Sequence, residues 1–359
     1  MGRQADSRAV EIERLRRLPP DLAAQLAATG LCRAMAPAEV GAAEVPVADA
    51  VDAIERLAYH DGATGWCGMI ACTTSLLGGH LPAEWAETIY GDPAAITGGF
   101  AAPVGRAEPA EGGMLVSGRW QWGSGTHNCT WIGGGCRTDS GAAFVFFSPD
   151  QVTLLDTWYV AGLRGSGSTD YEVADAFIPA GRWVDIGGPP VVDRQLYRFP
   201  FFGALAIGVA AVTLGLARRA YDELIALAAT KKPAQSSRTL ADRAVIQAQV
   251  AEAEAARRSA RLLVDDAVGR AWTAAASGDI TGEQRRLLRL AATNAALQAA
   301  HAVDLCYHAG GGTAVYEDSP LQRVFRDVHV ATQHAMVAPR VYEVVGRAAL
   351  GLPTDLSQM

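Results

Sequence analysis

The chain has 359 residues, half of them hydrophobic, and a formal charge of −7 from 38 acidic and 31 basic side chains. That length and composition support a core large enough for two or three packed units and exclude a disordered chain. With no long block of one charge sign there is no basis for a nucleic-acid partner, and six cysteines without CxxC spacing or a disulfide-rich pattern fit a reducing, cytoplasmic setting.

The N-terminal stretch MGRQADSRAVEIERLRRL is charged throughout and shows no apolar segment followed by a cleavage site, so no secretory signal is expected. From about Ala9 to Pro93 apolar residues recur at three- and four-residue spacing with Pro-Gly punctuation, which predicts a helical N-terminal unit, 1–94. Between about Ala95 and Gly188 the pattern changes to short apolar or alternating runs: MLVSGRWQW, CTWIGGGCR, AAFVFF, VTLLDTWYV and YEVADAFIP. Separated by Gly, Asp, Ser and Pro, these predict the strands of a compact β unit, 95–190. After the Gly-Pro-Pro stretch at 187–190, helical periodicity returns in four long segments near 200–228, 239–276, 281–309 and 320–349, a four-helix bundle over 191–359. The uncharged run of nineteen residues from Phe199 to Ala217 meets the length criterion for a membrane span. It is rich in Gly and Ala and continues through Arg218, Arg219, Asp222 and Glu223 as an amphipathic helix, so it is expected inside the bundle and no membrane is expected as a partner.

SGRWQWGSG, residues 117–125, puts Trp120 and Trp122 on one face of a strand and ends at Ser124 between two glycines. Indole supplies a planar wall, and a serine hydroxyl both donates to and accepts from a ring nitrogen, so a flat aromatic ligand suits this stretch; a core tryptophan pair followed by a turn is the competing reading. LRGSGSTDY, residues 163–171, has closely spaced glycines but lacks GxGxxG and lies among antiparallel-type strands, so no nicotinamide fingerprint is present. In YHAGGGTAVYEDSPLQRVFRDVHVATQHA, 307–335, three glycines allow close backbone approach to a ligand, and Asp318-Ser319-Pro320 opens a helix. His329 and His334 on that helix lie roughly 140° apart at about 3.6 residues per turn, so only one can face a given pocket. His60, His80, His127, His301 and His308 form no metal-ligand spacing, and no metal is expected.

Taken together, SGRWQWGSG, DTWYVAGLRGSGSTDYEVADAFIP, GGGTAVYEDSPLQRVFRDVHVATQH and the three-part organisation resemble the acyl-CoA dehydrogenase fold. Within it they resemble the flavin-dependent two-component monooxygenases, from DGATGWC (61–67) to the C-terminal helix. The resemblance implies a mostly α protein with a central β-barrel or sandwich between an N-terminal helical domain and a C-terminal four-helix bundle. It implies reduced flavin, FMN or FAD, supplied by a separate flavin reductase, with molecular oxygen as co-substrate. A C4a-hydroperoxyflavin would then hydroxylate a small aromatic or phenolic molecule, in a homotetramer. Dehydrogenases of this fold commonly carry a catalytic glutamate in a Tyr-Glu-Gly stretch after an Arg-Asp pair, whereas here Arg326-Asp327 is followed at that spacing by His334-Ala335-Met336. That weakens the alternative of an acyl-CoA dehydrogenase; a non-catalytic assembly member of the fold is the other alternative.

By the same resemblance His334 is a base or hydrogen-bond partner for the substrate, since an imidazole with an ordinary pKa of about 6.5 accepts a phenolic proton near neutral pH. Ser124 matches the residue near flavin N5, Trp122 the aromatic covering the ring, and Phe100 joins them at the cofactor. Trp66, His127 and Arg164 are substrate candidates, and Gly311 and Gly312 approach the cofactor through backbone. The dehydrogenases bind the flavin phosphate with an Arg-x-x-Phe-Gly segment of a neighbouring subunit. The corresponding KKPAQSSRTLADR leaves Lys231, Lys232 or Arg238 for the role, and Arg238 is the candidate taken forward.

Overall fold

In the computed structural model, which describes residues 1–139, 141–234, 236–278 and 280–355, helices are followed by strands and then by helices. First come α1 (Gly2–Ser7), α2 (Ala9–Leu15), α3 (Pro20–Ala28), α4 (Val47–His60), α5 (Gly62–Ser75) and α6 (Ala83–Tyr90). In α4 the buried Val47, Ala50, Val51, Ile54, Leu57 and Ala58 follow three- and four-residue steps, which turns one face to the core. The next residue, Asp61, caps α5 by accepting from the Thr64 backbone N–H and hydroxyl, both at 2.7 Å. Every residue of α5 is buried, so this helix is a central post without a solvent face.

Strands β1 (Thr97–Ala110), β2 (Gly113–Gly123), β3 (Trp131–Thr138), β4 (Gly141–Phe147), β5 (Thr153–Leu155), β6 (Thr169–Pro179) and β7 (Trp183–Asp185) form one sheet in the order β5-β6-β2-β1-β3-β4-β7. β1 and β3 pair in parallel, and the other pairs are antiparallel. Fully buried Trp120 stacks on Tyr171 with ring centroids 5.2 Å apart and donates its indole N–H to the Gly135 carbonyl at 2.8 Å. The expectation that Trp120 and Trp122 share a face fails here. Trp120 pairs with Tyr171 and Gly123 with Thr169, so Gln121 and Trp122 together oppose Asp170 in a β-bulge. With φ at +59°, Trp122 turns out of the sheet core and leaves its side chain 55% exposed.

The second helical part comprises α7 (Gln195–Arg198), α8 (Phe201–Thr230), α9 (Ala244–Ser277), α10 (Gly282–Gly310), α11 (Pro320–Ala331) and α12 (Val341–Ala349). The apolar run forms most of α8; it is long and apolar enough to cross a membrane, yet 89% of its most apolar window is buried by neighbouring elements. Its small residues set close helix contacts: a Cβ at Gly208 would lie 2.8 Å from Met69 Cγ of α5, and one at Gly215 would run into the Glu55 carbonyl of α4.

The expected fourth bundle segment, 320–349, is two helices. α11 stops at Ala331 and α12 starts at Val341, because Pro339 has no N–H for the Ala335 carbonyl and its ring would collide with that carbonyl in a helix. The Thr332 hydroxyl folds back on His329 O at 2.7 Å, and the Val337 and Ala338 N–H groups both donate to His334 O, at 2.9 and 3.0 Å. His334 therefore sits in a turn beyond the helix, and the angle argument that separated it from His329 does not apply. The two residues still differ in partner: His329 bonds Asp304 of α10 at 2.8 Å. Replacing Gly215 with Val should lower unfolding free energy by about 2 kcal/mol through overpacking at α4; a denaturant midpoint equal to wild type would contradict the close contact.

Candidate active site

Four segments distant in sequence, α5 among them, converge at one point. Trp66 of α5 donates its indole N–H to Ser124 Oγ, in the turn after β2, at 2.9 Å. The same indole meets the His334 imidazole edge-on, with centroids 5.5 Å apart and planes at 68°. Ser124, only 6% exposed, touches Ser168 Oγ at 2.7 Å, and Ser168 touches Ser166 Oγ at 2.7 Å. Gly125 at φ +72° and Gly167 at φ +55° make the left-handed turns that bring these serines together. The Gly125 N–H donates to Ser166 O at 2.9 Å and locks the two turns to each other.

The serine loop is held from α11. Asp327, 4% exposed, accepts the Leu163 N–H at 2.6 Å, and Arg326 donates to Ala161 O at 2.7 Å. A Cβ at Gly62, the first residue of α5, would lie 2.9 Å from Asp327 Oδ2, so glycine is what admits the carboxylate there. Burial raises Asp327 to about 7; the Leu163 bond and Arg326 oppose the rise, while the Asp61 and Glu13 carboxylates add to it. Burial also raises Asp61.

Burial, and after it the positive charge of Arg289 on α10, push His334 down to about 4, so its ring is neutral at pH 7. The Met336 N–H donates to His334 Nδ1 at 3.3 Å, which leaves the ring proton on Nε2. Arg289 is buried and lowered by burial to about 10, still a cation at neutral pH.

The other predicted residues are distributed as follows. Trp122 presents its exposed indole two residues before Ser124, with Phe100 edge-on at 5.8 Å. An open aromatic plane beside a buried hydroxyl that borders it fits a planar heterocycle such as flavin. His127 is exposed in the turn after Ser124, near Arg16, Arg17 and Asp156, and its pKa is lowered by partial burial and by Arg17. Arg164 is exposed on the loop whose Ser166 and Ser168 are buried. At one end of the bundle Gly311 takes φ +54° and the Lys231 ammonium donates to Gly310 O at 2.6 Å. Exposed Arg238 belongs to the loop that Leu240 N–H closes on Lys231 O at 2.9 Å. Gly62 and Met69 contact α8 at Leu216 and Gly208. Trp66 lies between those levels, which puts Lys231 about 30 Å farther along α8 at about 1.5 Å per residue. Thus Trp66, Ser124 and His334 come together, Phe100 pairs with Trp122 two residues before Ser124, and Gly311 and Gly312 follow the carbonyl that Lys231 bonds at the far end of α8, with Arg238 in the adjoining loop.

Sequence reasoning missed Ser166, Ser168 and Asp327. The repeated Gly-Ser-Gly at 123–125 and 165–167 was the available signal for the serines. Among the described residues no group of three His, Cys, Asp or Glu suits a metal ion. All six cysteines are unpaired and buried, and burial lifts Cys67 well above the ordinary thiol range, which makes it a poor nucleophile.

Residues 207–339 match the acyl-CoA dehydrogenase C-terminal domain family. A flavin-dependent monooxygenase oxygenase subunit, HsaA of Mycobacterium tuberculosis, is 28% identical over 96% of this chain and 92% of its own length. The indole-3-acetate monooxygenase of Pseudomonas putida is 33% identical over 95% of this chain and 89% of its own. The chain belongs to the flavin-dependent monooxygenases of the acyl-CoA dehydrogenase fold. The crystal structure of 3-HSA hydroxylase from Rhodococcus sp. RHA1 superimposes on this monooxygenase with a TM-score of 0.93 at 26% identity, covering 99% of this chain and 96% of the other. The monooxygenase is accordingly an oxidoreductase that uses reduced flavin and molecular oxygen.

An acid whose folded pKa, here about 7, lies above its unfolded value near 4 contributes stability below the unfolded value and loses it as pH rises through the folded one. The stability gap between Asp327→Asn and wild type should therefore shift in favour of the variant from pH 4 to pH 8. His334, whose folded pKa is depressed, contributes in the opposite sense but equally in both proteins. Denaturation midpoints that differ by a constant across that range would contradict a buried, titrating Asp327.

Proposed function

We propose that this chain is the oxygenase component of a two-component system that takes reduced flavin from a separate reductase and hydroxylates a small aromatic substrate. The observation that carries the reading is Trp66, whose indole links Ser124 on one side to His334 on the other. The absence of GxGxxG and the oxygenase-subunit name of the mycobacterial relative support a separate reductase. Six unpaired cysteines support a cytoplasmic setting.

Reduced flavin, when bound, supplies the electrons that activate oxygen. Trp122 and Phe100 would hold the ring by an apolar plane, and Ser124 would bond its polar edge. Trp66 supports Ser124 and walls the substrate side. Neutral His334 offers Nε2–H to a substrate oxygen; a ring held at about 4, first by burial and then by Arg289, is a weak base. The indole-3-acetate named for the Pseudomonas relative supports an aromatic acid as the substrate class. Exposed His127 and Arg164 stay outside this assignment. Arg238, Gly311 and Gly312, too distant to serve the same ring, are assigned to the cofactor of a neighbouring subunit in a homotetramer.

With chemically reduced flavin and an aromatic acid, His334→Ala should cut hydroxylated product about 10²-fold while hydrogen peroxide appears in its place. Undiminished hydroxylation, or oxidation of an acyl-CoA by the wild type with an electron acceptor, contradicts the assignment. Co-expressed Arg238→Ala and His334→Ala subunits should form mixed tetramers more active than either variant alone; no gain over the single variants contradicts a site shared between subunits.

A further inference from the structure

Ser124 does not stand alone: its oxygen is one end of a row of three buried hydroxyls. The indole N–H of Trp66 can only donate, so it fills one lone pair of Ser124 Oγ. Each serine has one hydroxyl hydrogen, and the contacts Ser124–Ser168 and Ser168–Ser166, both 2.7 Å, use two of the three. The third hydrogen lies at one end of the row or in its middle. Ser166 and Ser168 are 1% and 3% exposed, and Ser124, at 6%, is the end next to the exposed Trp122. A buried hydroxyl hydrogen without an acceptor is unfavourable, so once a ligand presents an acceptor beside Trp122 the row runs from Ser166 through Ser168 to Ser124. Hydrogen bonds aligned in one direction polarise one another, which makes the last hydroxyl a stronger donor.

We propose that Ser166 and Ser168 are positioning residues that fix the Ser124 hydroxyl as a donor toward a carbonyl oxygen on the polar edge of the bound flavin. The inference rests on the flavin reading above. The two loops are well suited to the task, because the Gly125–Ser166 backbone bond and the Cys67 thiol on Ser166 O, at 3.5 Å, set their register independently of the side chains. Removing one hydroxyl therefore leaves the loops in place and changes only the direction and strength of the donor.

The test compares wild type, Ser168→Ala, Ser166→Ala, the double variant and Ser168→Thr. The readouts are hydrogen peroxide released per reduced flavin oxidised, the dissociation constant for oxidised flavin measured by fluorescence, and thermal stability. Ser168→Ala should raise the peroxide fraction and weaken flavin binding, each about threefold to tenfold. The double variant should be no worse than Ser168→Ala, since cutting the row at Ser168 already disconnects Ser166, and Ser168→Thr should restore wild-type partition. Wild-type peroxide yield and flavin affinity in Ser168→Ala, strictly additive single effects, or failure of Ser168→Thr to restore coupling at normal stability would each overturn the proposal. Wild-type protein that binds no flavin at all overturns the flavin reading instead, and is distinguished by its own row of the comparison.

Discussion

Everything at the site depends on the burial of one carboxylate. Taking Asp327 out of water is unfavourable unless hydrogen bonds and dipoles replace the solvent, and the raised pKa shows that the replacement is incomplete. The Leu163 N–H bonds the carboxylate, the charge of the adjoining Arg326 favours its ionised form, and Gly62 at the start of α5 leaves the space it occupies. Those groups belong to the serine loop, to the helix that carries Trp66 and to the helix that leads into His334. Asp327 thus meets all three segments at one point, next to where Trp66 bridges a serine on one side and an imidazole on the other.

The site divides its chemistry by exposure. Its polar groups, Ser124, Ser166, Ser168 and Arg289, are buried, whereas its largest apolar plane, Trp122, is open. That is the reverse of an ordinary protein surface and suits a planar ligand whose flat face covers an indole while its polar edge finds prearranged donors. The electrostatics follow the same plan: burial, reinforced by the positive charge of Arg289, keeps the His334 imidazole neutral, so the histidine bonds to a substrate without competing with it for a counter-charge.

Much of this was legible in the sequence, for identifiable reasons. Helical spacing marks α4, which buries one stripe, the long uncharged run marks α8 as a core helix, and Ser124 between glycines announces a tight backbone turn. His334 stood out by residue type on an apolar background. The bulge at Trp122 was not legible, because strand register belongs to the pair β2–β6 and not to either strand. The break before α12 was missed because apolar periodicity resumes beyond Pro339, although the proline itself was the signal. Asp327 served in the sequence only as half of the Arg326-Asp327 landmark; the tertiary approach of Leu163 and Gly62 gives it a structural role. Ser166 and Ser168 were set aside for lacking a nucleotide fingerprint, while the same glycines serve to point hydroxyls at Ser124.

The central claim is that this constellation lets reduced flavin transfer one oxygen atom to an aromatic substrate. The direct measurement is mass spectrometry of the product after mixing wild-type protein, chemically reduced flavin and an aromatic acid with isotopically heavy oxygen gas. One heavy oxygen atom in the hydroxylated product is the expected result. A product whose new oxygen is unlabelled and comes from water, or complete conversion of oxygen to peroxide with a substrate that binds, would contradict it.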